Sequence, residues 1–477
     1  MPSPLAVGSC GVVAADAAFV AQELHRIAPA GPCAQLRKFR GASRGRCLAA
    51  GECCAFVTTW CHDTRTEGVL TRPAYMVGAL ARADLSGTKS MKLTVFSHKS
   101  CWWSARSRSG YATDGGFAFQ MSALSELFEE TRVVVPCARP GERTGETPVV
   151  GHELTVVPLT MPWGRGLRRK LGLAFWILRN GLTLLREAFG AQAVHAVIPG
   201  DIGTLGMLLA WAMRKPLLVR HCGNWYCQGT TAERFWHWFI ERFAGGRNVM
   251  LVTGGGLSAP SSRNENVHWI FSTSLRAHEL AAWGQARDGV PPGGPRLITV
   301  SRQDPEKGTG IIIRSLSLLL NDYPDVQLQV VGDGPALLSL RRLATELGVE
   351  RRVVFHGKVG HDHVLALLRG ADLFSLPSAT EGFPKVVLEA LACGLPVIAT
   401  RVSVLPHLLA AGGGVLLDQA SPEALAGAVR ACVEDPVRYR AMSERAVSTA
   451  RAFSLERWCE TIGAYVRAAW GPVGANE

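Results

Sequence analysis

Apolar and polar positions change character abruptly near residue 91. Over residues 1–90 the apolar positions hold neither a two-residue nor a 3.6-residue period, and only 14–27 has faintly helical spacing. From Met91 the chain reads Met-Lys-Leu-Thr-Val-Phe-Ser-His, which looks like a protein start running straight into a buried strand. We therefore expect Met91 to be the functional start, with 1–90 a poorly structured extension or a mis-assigned beginning. Beyond it, short β-branched runs alternate with helical stretches, the pattern of parallel-sheet α/β layering. One series has strands expected at 92–96, 132–135, 154–157, 193–198, 217–220 and 249–253. A second has them at 297–300, 327–331, 353–356, 373–376, 396–399 and 415–417. Between the two, 282–295 gathers Gly284, Gly289, Pro291, Pro292, Gly293, Gly294 and Pro295, and reads as a linker.

A chain of 477 residues exceeds what one hydrophobic core organises, which fits two domains, 91–281 and 296–477, around that linker. No apolar stretch reaches the roughly 18 residues that span a bilayer. The net charge of +12 favours anionic partners; nucleoside diphosphates, anionic lipid and nucleic acid all qualify on charge alone. Of 13 cysteines, six fall in the first 90 residues and the rest are scattered singly, as suits reduced thiols in a cytoplasmic enzyme without a signal segment. Cys47, Cys53, Cys54, Cys61 and His62 lack the paired C-x2-C spacing of a zinc site, so no metal is expected.

Two doubly wound α/β sheets joined by a hinge face each other across a cleft, and ligands bind where the carboxyl ends of their strands open into it. After the expected strand 297–300 comes Ser301-Arg302-Gln303-Asp304-Pro305-Glu306-Lys307-Gly308. Two cations there share a strand-to-helix loop whose free amides suit a diphosphate; the alternative is a solvated surface loop. After 327–331, Gly332-Asp333-Gly334-Pro335 makes a tight turn whose glycines let the backbone approach something closely. It lacks the third glycine of a dinucleotide fingerprint, so NAD is not expected.

The most specific segment runs Pro377-Ser378-Ala379-Thr380-Glu381-Gly382-Phe383-Pro384-Lys385-Val386-Val387-Leu388-Glu389-Ala390, followed by Cys393-Gly394-Leu395-Pro396. Glu381 and Glu389 resemble the Glu-x7-Glu motif of the family-four retaining glycosyltransferases, which have the GT-B fold of two Rossmann-like domains. The resemblance covers Met91 onward and is sharpest over 297–417. It implies transfer of a sugar from a nucleoside-diphosphate sugar to a hydroxyl of a glycan or lipid-linked acceptor, with retention, by a front-side route in which the departing phosphate helps accept the acceptor proton. By the same resemblance Glu389 accepts hydrogen bonds from the nucleotide ribose and Glu381 faces the donor sugar. Gly382, Phe383 and Pro384 would lie by sugar and phosphates, Arg302 and Lys307 neutralise the diphosphate, and Lys358 and Val359 meet the nucleobase. Gly115 and Gly116 resemble the glycine-rich acceptor-side loop beside the donor, and His221 the histidine next to the donor sugar; His195, inside a strand, reads as core. No cofactor is implied, the chain has no Asp-x-Asp triplet, and no nucleic-acid partner is expected. The chain departs from the family at Ser403-Val404-Leu405-Pro406-His407, where two glycines and Pro-Glu are common.

Two other readings stay open: an epimerase of the same fold, releasing free sugar nucleotide, and a silent assembly subunit. One further segment carries chemistry. Arg165, Arg168, Arg169, Lys170, Arg179 and Arg186 accompany Leu167, Leu171, Ala174, Leu178, Leu182 and Leu185 at helical spacing, with Trp163, Phe175 and Trp176 nearby. Either this stripe packs on the first sheet, or it docks the enzyme peripherally on anionic lipid at the inner face of the membrane.

Overall fold

The computed structural model describes residues 91–471 except 139–146, 163–166, 227 and 257, and only the backbone of 167–171. The cluster of Cys47, Cys53, Cys54, Cys61 and His62, with all of 1–90, lies outside the described residues.

The first lobe runs β1 (Lys92–Phe96), β2 (Cys101–Trp103), β3 (Tyr111–Thr113), α1 (Phe117–Ser125), β4 (Glu130–Ala138), β5 (Thr147–Pro148), β6 (Leu154–Leu159), α2 (Leu167–Gly190), β7 (Ala193–Ile198), α3 (Asp201–Ala212), β8 (Leu217–His221), α4 (Thr231–Phe243), β9 (Asn248–Thr253) and β10 (Val267–Ile270). Its parallel strands lie in the order β6-β4-β1-β7-β8-β9-β10. β2 extends this sheet beside the end of β4, and β3 and β5 add to it antiparallel. Helix α5 (Ala277–Trp283) leads to the second lobe: β11 (Arg296–Val300), α6 (Thr309–Leu319), β12 (Gln327–Val331), α7 (Leu337–Glu346), β13 (Val353–Gly357), α8 (His361–Gly370), β14 (Leu373–Leu376), α9 (Lys385–Ala392), β15 (Val397–Thr400), α10 (Leu405–Leu408), β16 (Gly414–Leu417), α11 (Pro422–Val433) and α12 (Pro436–Arg451), then α13 (Leu455–Trp470). Its sheet, β13-β12-β11-β14-β15-β16, is wholly parallel.

Both sheets are wound outward from their first strand in both directions, which puts a topological switch point between β1 and β7 and another between β11 and β14. The strands are apolar runs because helices cover both faces: β8 and β15 are buried at every position. The four strands that periodicity does not reveal, β2, β3, β5 and β10, have two to four residues each. So short a segment carries too few alternations to register.

Two features depart from a simple two-domain division. Arg287, within the glycine- and proline-rich connection, donates to the carbonyls of Cys393, Ala371, Leu368 and Arg369, which fastens that connection to the second lobe. Helix α13, the last of the chain, packs on the first lobe. Trp458 is fully buried beneath the Arg220 guanidinium, 5.0 Å from its ring, while His268 and Tyr465 stack at 4.4 Å.

Helix α2 carries apolar residues on two faces, one toward the first sheet and one toward solvent. Trp176, Leu184 and Ala188 face the first sheet with Asn180 and Glu187, and Glu187 binds Arg132 through both carboxylate oxygens at 2.6 and 3.0 Å. Leu178, Leu182 and Leu185 point outward, the first two 81% exposed, with Phe175 and Phe189 beside them. Packing on the sheet therefore does not account for that leucine stripe. Trp163 and Arg165, and the side chains of Leu167, Arg168, Arg169, Lys170 and Leu171, are outside the described residues. No described helix is long and apolar enough to cross a membrane.

Candidate active site

The switch point of the second sheet places two loops side by side. The first follows β11 and carries Lys307 at the end of the short 3-10 turn Pro305–Lys307; Gly308 then bends back at φ 72°. A side chain at Gly308 would strike the Pro377 carbonyl, so glycine is what lets this loop lie against the one after β14. Buried Gln303 fixes the loop from within, donating to the carbonyls of Ser301 and Val331 and accepting from Thr309. Lys307 Nζ then donates to Glu381 Oε1 at 3.0 Å and to the Thr380 carbonyl at 3.2 Å. Arg302, by contrast, points to Asp304 and is largely exposed.

Gly332 and Gly334 do make a close approach, but to this same loop. A Cβ on Gly332 would sit 1.9 Å from the Ser301 carbonyl oxygen, and one on Gly334 2.5 Å from that of Gln303. They shape the wall behind Arg302.

Glu389, one turn into α9, is buried and shared. Ser274 Oγ donates to its Oε1 at 3.2 Å, and His361 Nε2 lies 3.2 Å from the same oxygen. That hydrogen bond, opposed by burial and reinforced by the glutamate charge, raises the His361 pKa above its ordinary 6.5. Pro384 caps α9 and is buried, while Phe383 is half-buried in the cleft. Ser403, in the left-handed region at φ 50°, donates to the Gly382 carbonyl, so the stretch that departs from the family pattern ties down the Glu381 loop.

The first lobe meets these loops directly. Asn224 Nδ2 donates to Thr380 Oγ1 at 3.2 Å, and a Cβ on Gly382 would lie 3.7 Å from Gly223. His221, at the end of β8, is buried edge-on to Trp225 and Trp236 with its Nδ1 unpartnered. Burial drives its pKa down to about 4, so it acts as a neutral hydrogen-bonding group. His195 is fully buried in β7 and likewise kept neutral by burial. Lys358 reaches across to Asp114 at 2.8 Å, and Val359 packs against the core. A cavity of about 390 Å³ opens between the lobes, lined by Gly115, Gly116, Phe383 and Lys385 among others.

Lys307, Glu381 and the Gly382 turn are thus brought together, with the His221 loop opposite. Glu389, one turn further along α9, has two partners that sequence reasoning did not single out, His361 and Ser274. Lys385, quoted within the motif but given no role, also enters the cavity. Among the described residues no cluster of His, Cys, Asp and Glu has metal-binding geometry.

Residues 285–449 match the family described as "Glycosyl transferases group 1". The chain is similar to the D-inositol 3-phosphate glycosyltransferase of Corynebacterium glutamicum, 35% identical over 196 residues that cover 40% of this chain and 46% of that protein. It is also similar to the GDP-mannose-dependent alpha-(1-6)-phosphatidylinositol monomannoside mannosyltransferase of Mycolicibacterium smegmatis, 36% identical over 172 residues, 34% of this chain and 44% of that protein. The matches thus span less than half of either relative. In fold it is similar to Anabaena HepE, solved in complex with UDP-glucose, with a TM-score of 0.57 at 18% identity, covering 79% of this chain and all of the other. The second lobe thus carries the segment that matches the group 1 glycosyltransferases, and the arrangement of two α/β lobes is the GT-B fold of the solved structures to which the chain is similar.

Proposed function

We propose that this protein transfers a sugar from a nucleoside-diphosphate sugar to a hydroxyl of a glycan or lipid-linked acceptor, with retention of configuration. The observation that carries the reading is the Lys307–Glu381 pair at the switch point of the second sheet, within the matched segment and facing the first lobe. A lysine held by the Glu381 carboxylate at 3.0 Å and the Thr380 carbonyl at 3.2 Å is preorganised without being used up, since one ammonium donor remains for a phosphate oxygen. Charge growing on the leaving diphosphate would be met by Lys307 and Arg302, with Glu389 toward the ribose and Glu381 toward the sugar. The departing phosphate would help take up the acceptor proton on the same face. One similar protein is named as GDP-mannose-dependent and another was solved with UDP-glucose, and we carry over the class of nucleoside-diphosphate sugar alone.

Contact with an anionic membrane surface is part of the proposal. The outward face of α2 bears Phe175, Leu178, Leu182, Leu185 and Phe189 with Arg179 and Arg186, and its one acid, Glu187, is buried against Arg132. An oily stripe bordered only by cations suits the headgroup region of anionic lipid. It would bring the cleft to a lipid-linked acceptor at the inner face.

Incubating the purified chain with GDP- and UDP-sugars and a lipid or glycan extract tests the reading. A glycoside product supports it; free epimerised sugar nucleotide would point to an epimerase instead. Absence of both transfer and donor hydrolysis would favour a silent assembly subunit.

A further inference from the structure

Beyond residue 90 the cysteines are scattered singly along the sequence, but the fold brings two of them together. Cys101 opens β2 and Cys137 lies near the end of β4, and the parallel pairing of these strands sets the two residues directly opposite each other. Neighbouring strands run about 4.8 Å apart, within the Cα separation of about 4.4 to 6.8 Å that a disulfide spans. Both are free thiols that differ in access: Cys101 is fully buried, whereas Cys137 is half-buried. They also interact directly. A hydrogen bond between them is the largest influence on either thiol, lowering the Cys101 pKa against its burial and raising that of Cys137. Thr113 and the Lys99 charge lower Cys101 further. The buried thiols Cys393, Cys432 and Cys459 sit in separate parts of the second lobe and α13, and burial pushes them up to about 11, 12 and 12.

Facing thiols of unequal acidity and unequal access can divide the work of thiol–disulfide exchange. We propose that Cys101 and Cys137 form a reversible intramolecular disulfide, with a small-molecule disulfide such as oxidised glutathione as the oxidant. The Cys137 thiolate attacks one sulfur of the oxidant, expelling the first small thiolate and leaving a mixed disulfide at the half-buried position. Its raised pKa makes this the slower step. The Cys101 thiolate then attacks the Cys137 sulfur and expels the second. The two protein thiols lose two electrons and two protons in all, and the oxidant, taking both, leaves as two small thiols. Side chains on adjacent strands stand slightly further apart than the Cβ separation of about 3.8 Å that the bond prefers, so closure draws the three-residue β2 toward β4. The chain just before β2 forms part of the cleft wall. Ser97, His98 and Lys99 line the cavity, and the Ser100 carbonyl accepts from Thr113 Oγ1 at 2.7 Å, two residues ahead of Gly115. The bond therefore stiffens residues 97–100 and makes that wall answer to the oxidation state of the pair.

Incubating the full chain with oxidised glutathione, blocking the remaining thiols, digesting with trypsin and mapping by mass spectrometry tests the pairing. A linked pair of peptides carrying Cys101 and Cys137 should appear, and dithiothreitol should remove it. Cys101→Ser should instead accumulate glutathione on Cys137, since nothing resolves the mixed disulfide, while Cys137→Ser should leave Cys101 unmodified. Amide hydrogen exchange over 97–100 should slow by about threefold or more in the oxidised wild type and keep the reduced rate in Cys137→Ser treated alike. The proposal is overturned if Cys101 and Cys137 both stay reduced while the exposed Cys222 takes up glutathione, or if either pairs with another cysteine instead. It is overturned equally if the link forms and exchange over 97–100 does not change. Circular dichroism confirms the fold of each variant, and Cys137→Ser carries the comparison where the buried Cys101→Ser does not fold. None of these readouts requires sugar transfer, so their failure is distinguishable from a failure of the glycosyltransferase reading.

Discussion

Lys307 and Glu389 take opposite parts in the proposed chemistry, and their variants should separate. Removing one preorganised donor to developing charge typically costs about 10²- to 10³-fold in rate, so Lys307→Ala should lower kcat by that factor with donor affinity less affected. Glu389→Ala should instead weaken the donor Kd, by about 10- to 100-fold if a hydrogen bond to a charged group is worth about 1.5 to 3 kcal/mol. Single-turnover kinetics and equilibrium titration tell these apart, and full activity in either variant contradicts its assignment. The Glu389–His361 pair adds a pH signature. His361 has a raised pKa in the fold, so the pair stabilises fully below the ordinary value of 6.5 and is lost as pH rises through the raised one. Urea unfolding should therefore show a larger gap between wild type and His361→Asn at pH 6 than at pH 9; an equal gap at both would remove the pair from the account. The loops that carry Lys307 and Glu381 could be located from sequence because each directly follows a strand, while the roles given to these residues stand as the proposal. Ser274 could not, being 115 residues from Glu389. Nor could the approach of Lys385 to Gly116 across the cleft.

At the scale of elements, the long parallel strands were legible because burial on both faces makes each an unbroken apolar run. The same logic misleads for α2. Spacing showed that the helix had an apolar stripe, but a helix apolar on two faces has no single inward side, and sequence cannot say which leucines the sheet takes. Trp176 and Leu184 go in; Leu178 and Leu182 stay out. Charge reversal at Arg179 and Arg186, together with Leu178→Gln and Leu182→Gln, leaves the packed face untouched. Such a variant should keep its thermal stability and lose co-sedimentation with anionic vesicles. Each basic residue at a membrane surface contributes about 1 kcal/mol that salt screens, so wild-type binding should also drop between low and high salt. Equal pelleting of wild type and variant would discard the membrane contact and favour a soluble acceptor.

For the whole molecule, the least legible feature was the return of α13 to the first lobe, since nothing in its amphipathic spacing names the surface it will cover. Trp458, fully buried under Arg220, is its anchor. Trp458→Ala should cost about 3 to 5 kcal/mol in urea unfolding, the usual range for a buried aromatic truncated to alanine. A loss below about 1 kcal/mol would show α13 to be a loose appendage. Its anchoring has a mechanical corollary. The chain passes between the lobes twice, after Trp283 and again near Leu455, and the passages are laced together where Leu455 N–H donates to the Leu275 carbonyl at 2.7 Å and Ala277 N–H to Glu456 at 2.8 Å. Two neighbouring pins define an axle. Such pins would resist sliding more than rotation about the line through them, so any opening of the cleft is expected to move its mouth most and the Glu456 end least.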